Sequence, residues 1–368
     1  MKRISLITIF DNPNFGTYLQ ALALGVTLEK FNTKVEIVHY ERPAWHEYSA
    51  FRKKVKVMEP LWEFYYKVRR AKGEIQRVGC RKFVSKYIRV TKPYYSDLEL
   101  MADPPVADIY ITGSDQVWNT VHNHGVDGAF YLSYAPKGRP RYAYASSIGM
   151  EEIPIQYIDT IKDLLSRYSA ISVREESNVR LLKQIGIESQ MVLDPTFLIE
   201  HEEWIGYAKK MSFDEKYVLA YSVESRDRDI EVGSVARRVA DRIGCKLYEV
   251  SYFGPEKSIP FCDRHFYYAT PDVFLSLVSN ACFIVGSSFH ITAFAINFRK
   301  PFITVAPDRF SSRIDSLLRI THLENRKITG ADIPKDLDFQ EQIDYDSVRR
   351  LLAPKKADSM EFIKKMTR

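Results

Sequence analysis

Short apolar segments of strand length alternate with amphipathic helical segments along most of this 368-residue chain. The first apolar segment, Ile4–Phe10, is followed by a loop and by the helical segment Tyr18–Phe31, in which Leu22 and Val26 recur at helical spacing. Strands that alternate with helices are joined by right-handed crossovers and build mostly parallel sheets. The pattern therefore predicts an α/β fold.

The alternation runs through the chain twice. An Asp-Pro-Thr tripeptide at 194–196 separates the two series, and we expect a hinge there because proline restricts its neighbours. The length also exceeds what one hydrophobic core usually fills. We therefore predict two Rossmann-like domains, 1–194 and 195–343, that face a central cleft, with a helix at 344–368 packing back on the first domain. Ligands of such sheets bind beyond the carboxyl ends of the strands.

The composition narrows the class of protein. Of the residues, 45% are hydrophobic and 27% charged, which is typical of globular proteins and excludes collagenous and wholly disordered chains. No apolar run reaches the roughly 18 residues of a membrane span, and the N-terminal segment lacks a signal-peptide cleavage site. The cysteines, Cys80, Cys245, Cys262 and Cys282, include no C-x-x-C pair, which disfavours a zinc site or a disulfide framework. We therefore expect a cytoplasmic, reduced protein that needs no metal.

Positive charge is concentrated in one segment, 52–92, which holds 14 Lys and Arg residues but only three acidic ones. Aromatic residues are interleaved with the bases, as in helices that bind anionic lipid or in nucleic-acid surfaces. The simplest interpretation, which we favour, is a helical excursion whose aromatic residues pack on the domain while its bases are solvated. No nucleic-acid motif accompanies it, so we expect either solvated bases or contact with a membrane surface.

Two loops in the first half follow predicted strands and carry polar side chains. The loop at 12–17 combines Asn14 with Gly16, which permits a tight turn before a helix whose N–H groups favour an anion. The loop at 113–119 offers groups suited to sugar hydroxyls, from Asp115, Gln116 and Asn119. Side chains of these types also stabilise loops through bonds to the backbone, so a structural role stays open.

Three arginines follow predicted strands. Arg174 opens a helix, where the dipole repels a cation, so it requires either an acidic partner or an anionic ligand. Arg309 and Arg313 lie four residues apart after a strand and suit a phosphate or a carboxylate, although a solvated face is an equal alternative.

The strongest candidate is the turn at 286–290, where a buried strand ends and a helix begins. Ser287 or Ser288 can cap that helix, whose N–H groups then face the ligand edge of the sheet. His290 lies in the first helical turn, where the positive end of the helix favours the neutral imidazole. We predict a catalytic role for His290 over that of a satisfied core histidine.

Four segments in this order resemble the polysaccharide pyruvyl transferase family: 14–21 (NFGTYLQA), 112–119 (TGSDQVWN), 172–175 (SVRE) and 287–290 (SSFH). The resemblance covers about residues 1–325. One position departs from the family, in which the histidine is commonly followed by glycine and here by Ile291. The resemblance implies a fold similar to GT-B glycosyltransferases and the transfer of an enolpyruvyl group from phosphoenolpyruvate to a sugar, forming a ketal and releasing phosphate.

The resemblance also implies roles for the residues singled out above, with phosphoenolpyruvate as donor substrate and no cofactor. The catalytic residues would be His290, as acid and base, and Arg174. The donor would be bound by Arg174, Ser287, Ser288, His290, Arg313 and Arg309. The acceptor would be bound by Asn14, Gly16, Asp115, Gln116 and Asn119. If the acceptor is a lipid-linked oligosaccharide, the basic segment 52–92 would hold the enzyme at the anionic inner face of the membrane.

Two alternatives belong to other functional classes. A GT-B glycosyltransferase would use a nucleotide sugar and would need a carboxylate near a strand end of the second half, where Asp308 is the one clear candidate. A non-catalytic saccharide-binding protein would not need Arg174 and His290. The four ordered segments favour pyruvyl transfer over both.

Overall fold

The structure, a computed structural model, describes residues 1–12, 14–42, 60–223, 226–306, 311–331 and 342–368, and for 60–72 and 226 the backbone alone. The chain divides into two compact units. The first contains Met1–Pro13, Thr17–Leu198 and Ala357–Arg368, and the second contains Asn14–Gly16 and Ile199–Lys356. Within the described ranges, no helix is both long and apolar enough to cross a membrane.

The first unit is built on a seven-stranded parallel sheet with the order β3-β2-β1-β4-β5-β6-β7. Its strands are β1 Lys2–Ile7, β2 Thr33–Tyr40, β3 Arg89–Tyr94, β4 Ile109–Thr112, β5 Arg141–Ser146, β6 Ala170–Val173 and β7 Gln190–Met191. All four residues of β4 are buried. Continuous burial of this kind is typical of a central parallel strand covered on both faces.

The helices that accompany this sheet in the described ranges are α1 Phe15–Glu29, α2 Pro60–Ser85, α3 Asp97–Ala102, α4 Ile158–Leu165 and α5 Glu176–Gln184. Short 3₁₀ turns lie at Gly128–Tyr131, Ile155–Tyr157 and Pro195–Phe197. Local sequence sets the helix ends: the Ser96 hydroxyl accepts the N–H of Glu99 and caps α3. Gly186, with a φ of 78°, provides the left-handed turn after α5.

The second unit is built on a six-stranded parallel sheet with the order β10-β9-β8-β11-β12-β13. Its strands are β8 Tyr217–Tyr221, β9 Lys246–Val250, β10 Arg264–Phe266, β11 Phe283–Gly286, β12 Phe302–Ala306 and β13 Lys327–Thr329. Its helices are α6 His201–Tyr207, α7 Arg226–Ile243, α8 Pro271–Asn280, α9 Phe289–Asn297, α10 Ser312–Thr321 and α11 Tyr345–Thr367, with 3₁₀ turns at Pro255–Lys257 and Glu324–Arg326. The two sheets confirm the predicted α/β fold with two Rossmann-like halves.

The units divide after Leu198 rather than after Asp194. Asp194 caps the 3₁₀ turn that follows it, because its Oδ1 accepts the N–H of Thr196 at 3.0 Å and the hydroxyl of Thr196 at 2.8 Å. Phe197 and Leu198 are buried. The segment expected to be a hinge is therefore part of the packed first unit.

The C-terminal helix α11 is shared between the two units. Its second half belongs to the first unit, where the Ser359 hydroxyl accepts the N–H of Leu193 at 2.9 Å and Phe362 lies 6.3 Å from the ring of Tyr144. Its first half belongs to the second unit, where the Tyr345 hydroxyl donates to the carbonyl of Lys300. Of the helix predicted at 344–368, Ala357–Arg368 belong to the first unit.

The basic segment 52–92 is described in part. Residues 52–59 lie outside the described residues. The backbone from Pro60 to Ser85 forms a helix, as expected for a helical excursion. Of the bases whose side chains are described, Arg77 and Arg81 both pair with Glu74. Part of the positive charge is therefore balanced within the helix.

Candidate functional site

The turn from β11 into α9 buries Ser287, Ser288 and His290 at the carboxyl end of its strand. Ser288 is the N-cap of α9, and its Oγ accepts the N–H of Ile291 at 3.2 Å. The Ser287 hydroxyl donates to the Oγ of Ser222, at 3.2 Å, beyond the end of β8. The turn is therefore held both by its own helix and by the neighbouring strand.

Gly16 lies directly against the imidazole of His290. A Cβ on Gly16 would be 2.1 Å from the Cγ and 2.2 Å from the Nδ1 of His290, so glycine is required there. Asn14 fixes the loop, because its Oδ1 accepts the N–H of Gly16 at 2.9 Å and the hydroxyl of Tyr221 at 3.4 Å. Asn14 and Gly16, predicted to bind the acceptor with the first half, both belong to the second unit.

Aromatic packing explains why residues 14–16 group with the second unit. The buried ring of Phe15 stacks on Phe274, with ring centroids 4.8 Å apart. It also meets the rings of Tyr221 and Tyr252 at centroid distances of 5.6 and 5.8 Å. Aromatic pairs at these distances contribute stabilisation beyond the burial of their surface area, so Phe15 anchors the loop directly before Gly16.

The electrostatics of the turn favour a bound anion. Helix α9 has nine residues, and the N–H groups at its start have no partners within the helix apart from capping groups such as Ser288. Aligned peptide dipoles make this end positive, which suits a phosphate or a carboxylate. His290 is 5% exposed and lies in the same turn, so a buried imidazole is adjacent to the positive end of the helix.

Ile291, the departure from the family pattern, packs against the last residue of β11. A Cβ on Gly286 would lie 2.5 Å from the Cγ2 of Ile291, so the isoleucine side chain covers the backbone of Gly286. Ile291 itself is 1% exposed. The added bulk is accommodated by a glycine in β11 and fills the core of the second unit.

The two arginines expected after β12 are described unequally. Arg309 lies outside the described residues. Arg313 is partly buried in the first turn of α10, and α10 packs against α9, the helix that carries His290. Arg313 therefore lies on a helix adjacent to the proposed anion site.

In the first unit, Arg174 is enclosed by carboxylates. Its guanidinium is 2.9 Å from an oxygen of Asp194, 3.5 Å from Glu175 and 3.6 Å from Asp115, and its side chain is 2% exposed. Burial opposes the charge, but the three carboxylates outweigh it and raise the pKa of Arg174. Of the two roles that the sequence left open, the structure favours a buried ion cluster over contact with an anionic ligand.

The carboxylates around Arg174 are themselves bonded to other groups. Glu175 accepts the hydroxyl of Ser147 at 2.7 Å and the amide of Asn178 at 2.6 Å. Asp115 accepts the hydroxyl of Thr17 at 3.3 Å. The cluster is thus a connected polar network in the first unit, of the kind that fixes the geometry of a buried region.

Gln116 and Asn119, expected at the acceptor, are bonded to each other. The amide of Asn119 donates to the Oε1 of Gln116 at 2.9 Å, and both side chains are buried. Gly149 lies against this pair, since a Cβ there would be 2.0 Å from the same Oε1. Asn119 Oδ1 also accepts the N–H groups of Val121 and His122 at 3.0 Å. These contacts support the loop-stabilising role.

Tyr221 and Ser222 belong to the His290 site but were not predicted from the sequence. Both lie at the carboxyl end of β8, whose Tyr221 pairs with Gly286 across to β11. The signal that could have identified them is the polar Ser222 directly after a buried strand. The pairing of β8 with β11 is not readable from the sequence, because β9 and β10 intervene along the chain.

Comparisons with known proteins agree with this picture of the fold. The family model described as polysaccharide pyruvyl transferase matches residues 14–309, a range that includes Asn14, Gly16 and His290. No curated protein matches the chain.

Three solved structures are similar in fold. A co-structure of S. aureus MnaA with UDP has 13% sequence identity and a TM-score of 0.50, covering 100% of this chain and 91% of that one. Arabidopsis thaliana UGT89C1 has 6% identity and a TM-score of 0.49, with 100% of both chains covered. The UDP-GlcNAc 2-epimerase from Neisseria meningitidis, bound to UDP-GlcNAc, has 12% identity and a TM-score of 0.47, covering 100% and 94%. The likeness to MnaA agrees with the predicted similarity to GT-B folds.

Proposed function

The chain belongs to the polysaccharide pyruvyl transferase family, and from this premise we propose that it transfers the enolpyruvyl group of phosphoenolpyruvate to a sugar of a cell-surface polysaccharide precursor. The product is a pyruvate ketal, and phosphate is released. One observation carries the proposal: a buried histidine, held by Gly16, lies in the first turn of a helix that favours an anion.

The reaction needs a group that both gives and takes a proton. Protonation of the methylene carbon of phosphoenolpyruvate makes its enol carbon electrophilic, and one sugar hydroxyl attacks that carbon and loses its proton. The carbon–oxygen bond to phosphate then breaks, a second hydroxyl attacks, and its proton leaves with the phosphate. We assign the first exchange to His290, which would give a proton to the methylene and recover one from the first hydroxyl.

The donor would bind in the second unit. The start of α9, with the hydroxyls of Ser287 and Ser288, would hold the phosphate or the carboxylate. Arg313 on the adjacent helix, and Arg309, would add positive charge that stabilises the departing phosphate. Asn14 and Gly16 would act on this side by positioning His290 rather than by binding the acceptor.

The acceptor would use the loop at 113–119 of the first unit. Asp115 is the strongest candidate there, because a carboxylate accepts bonds from sugar hydroxyls and the network around Arg174 fixes its position. Arg174 would be a positioning residue for this loop. Gln116 and Asn119 would act through the shape of the loop that they stabilise.

A lipid-linked oligosaccharide acceptor would give the basic segment 52–92 a role. Lysine and arginine clusters bind anionic leaflets with about 1 kcal/mol for each base near the surface. Flotation with vesicles of phosphatidylglycerol and phosphatidylcholine tests this part of the proposal, and we expect binding at low salt that high salt reverses. Failure to bind the anionic vesicles at any salt concentration would contradict membrane association but not pyruvyl transfer.

The transfer itself can be followed with phosphoenolpyruvate labelled with carbon-13 at its enol carbon. Incubation with the protein and lipid-linked oligosaccharide precursors should move the label into a ketal resonance and release an equal amount of phosphate. His290→Gln should abolish both signals. Phosphate release without ketal formation, or the same yield from the variant, would contradict the proposal.

A further inference from the structure

The sheet of the second unit brings together three side chains of the types that bind transition metals. Glu249 lies in β9, and His265 is its register partner in β10. Cys262 lies two residues before β10, so the cysteine and the histidine have the spacing C-x-x-H. The ligand atoms of all three residues lie within 4.8 Å of one another.

We propose that Glu249, Cys262 and His265 form a zinc-binding site. Nothing in the proposed transfer reaction uses these residues, and β8 separates β9 from β11, the strand that leads to His290. The three donors come from two paired strands and the loop between them. The expectation that the cysteines bind no metal rested on the absence of a C-x-x-C pair, and it did not take account of a carboxylate on the neighbouring strand.

The donor set favours zinc over other common divalent ions. Magnesium and calcium prefer oxygen ligands, whereas a thiolate with an imidazole suits zinc. A carboxylate and a thiolate together neutralise the charge of a divalent cation. Neutralisation is important here because the side chain of Glu249 is only 1% exposed and an uncompensated buried charge is costly. Three protein ligands leave the fourth tetrahedral position for a water molecule.

The residues around the cluster form hydrogen bonds and ring contacts with its carboxylate and its histidine. The N–H of Ile259 donates to Oε1 of Glu249 at 3.0 Å, and the Ser258 hydroxyl donates to its Oε2 at 3.1 Å. The ring of Tyr267 stacks on His265, with centroids 5.2 Å apart and planes 11° from parallel, and its hydroxyl bonds to Ser258. Bonds of this kind to ligating carboxylates and histidines typically orient metal ligands and raise metal affinity.

Metal binding requires a small opening of the cluster. The Nδ1 of His265 is 2.5 Å from the Oε2 of Glu249, the distance of a shared proton. Two ligands of a tetrahedral zinc, each about 2.0–2.1 Å from the ion, are separated by roughly 3.4 Å. The ion would therefore replace this proton and move the histidine and the carboxylate apart by about 1 Å. Because β10 is a three-residue strand at the edge of the sheet, the ion would also tie that edge to β9.

Cobalt(II) substitution provides the test, because cobalt bound to a thiolate gives a charge-transfer band that zinc does not. The full-length chain, reduced and freed of metal by a chelator, is titrated with cobalt chloride. We expect a saturable thiolate-to-cobalt band with one equivalent bound, lost on addition of zinc. The band should be absent from Cys262→Ser and weakened at least tenfold in affinity in His265→Ala.

Cys282→Ser is the matched control. The Sγ atoms of Cys282 and Cys245 lie 3.4 Å apart in the same unit, so cobalt bound to these two thiols would be the competing explanation for a band. The control should keep the band. Circular dichroism and thermal unfolding without metal establish that each variant is folded, and zinc should raise the unfolding temperature of wild type and of Cys282→Ser only. A wild-type titration without a thiolate band, or a band that survives Cys262→Ser, would overturn the proposal.

Discussion

Gly16 and His290 are in direct contact, and the position that a side chain on Gly16 would occupy overlaps the imidazole ring. The N–H of Gly16 donates to the side chain of Asn14, and the neighbouring Phe15 is buried among aromatic rings. These contacts hold the backbone of Gly16 in place. The loop at 14–16 therefore fixes the orientation of the histidine that we assign to proton transfer. Gly16 and the segment 287–290 are therefore neighbours within the second unit.

Gly16→Ala should displace the imidazole while leaving the fold intact. A new Cβ 2.1 Å from His290 forces the ring to move, and a displacement of about 1 Å in a catalytic group can cost about a hundredfold in rate. We expect a loss of that order in ketal formation, together with a loss of about 1–3 kcal/mol in the free energy of unfolding, because the new methyl group overpacks a buried site. Gly206→Ala is the control, since nothing lies within 4 Å of its added methyl. Equal activity of the two variants would refute the positioning role.

Gly286 and Ile291 should be energetically coupled. Gly286→Ala places a methyl group 2.5 Å from Ile291 and 2.9 Å from the carbonyl of Tyr221, so we expect a loss of about 1–3 kcal/mol in the free energy of unfolding. Ile291→Ala alone should cost about 2–5 kcal/mol, because it removes a buried side chain. In the double variant, the clash between the new methyl group and Ile291 is absent. We therefore expect the double variant to lose less stability than the sum of the losses of the two single variants. Denaturant unfolding of the four proteins measures this, and strict additivity would show that the side chains do not meet.

Arg174→Met should destabilise the first unit. The substitution leaves Asp115, Glu175 and Asp194 buried together without their cation, and removal of one partner from a buried ion pair typically costs about 3–5 kcal/mol. Urea unfolding measures the loss, and Arg180→Met, on an exposed face of α5, should change stability by less than about 0.5 kcal/mol. A variant that keeps its stability but no longer binds phosphoenolpyruvate would instead place Arg174 at the donor.

Asp127 should make stability depend on pH. Burial raises the pKa of Asp127 to about 6, with bonds from Tyr40 and the N–H of Ala129 acting in the opposite direction. The folded chain therefore holds a proton on this group that the unfolded chain releases at lower pH, so the group costs stability as pH rises from about 4 to 6. Asp127→Asn should remove up to about 3 kcal/mol of this dependence and gain stability at pH 7 relative to wild type. Unfolding curves at several pH values test this, and parallel profiles for the two proteins would contradict it.

The fold was predictable because each element carries its own signal. Buried strands such as β4 are short apolar runs, and helices such as α5 end at a glycine, so the alternation is visible residue by residue. The His290 turn was predictable for the same reason, since a capping serine directly follows a buried strand. Local sequence was sufficient for both.

Contacts between distant parts of the chain were not predictable. The neutralisation of Arg174 by Asp115 and Asp194 depends on loops that are far apart in sequence. The grouping of Gly16 with His290 depends on aromatic packing around Phe15 that no local pattern encodes. In both cases the residue types were identified from the sequence, whereas their roles followed from tertiary contacts.

Calorimetric titration tests the central claim most directly, since it requires no acceptor. Phosphoenolpyruvate and, separately, UDP-N-acetylglucosamine are titrated into wild type and His290→Gln. We expect phosphoenolpyruvate to bind both proteins within a few-fold of the same affinity, because the helix start would provide most of the anion contacts, and we expect the nucleotide sugar to bind neither. Binding of the nucleotide sugar without binding of phosphoenolpyruvate would contradict pyruvyl transfer and indicate glycosyl transfer instead.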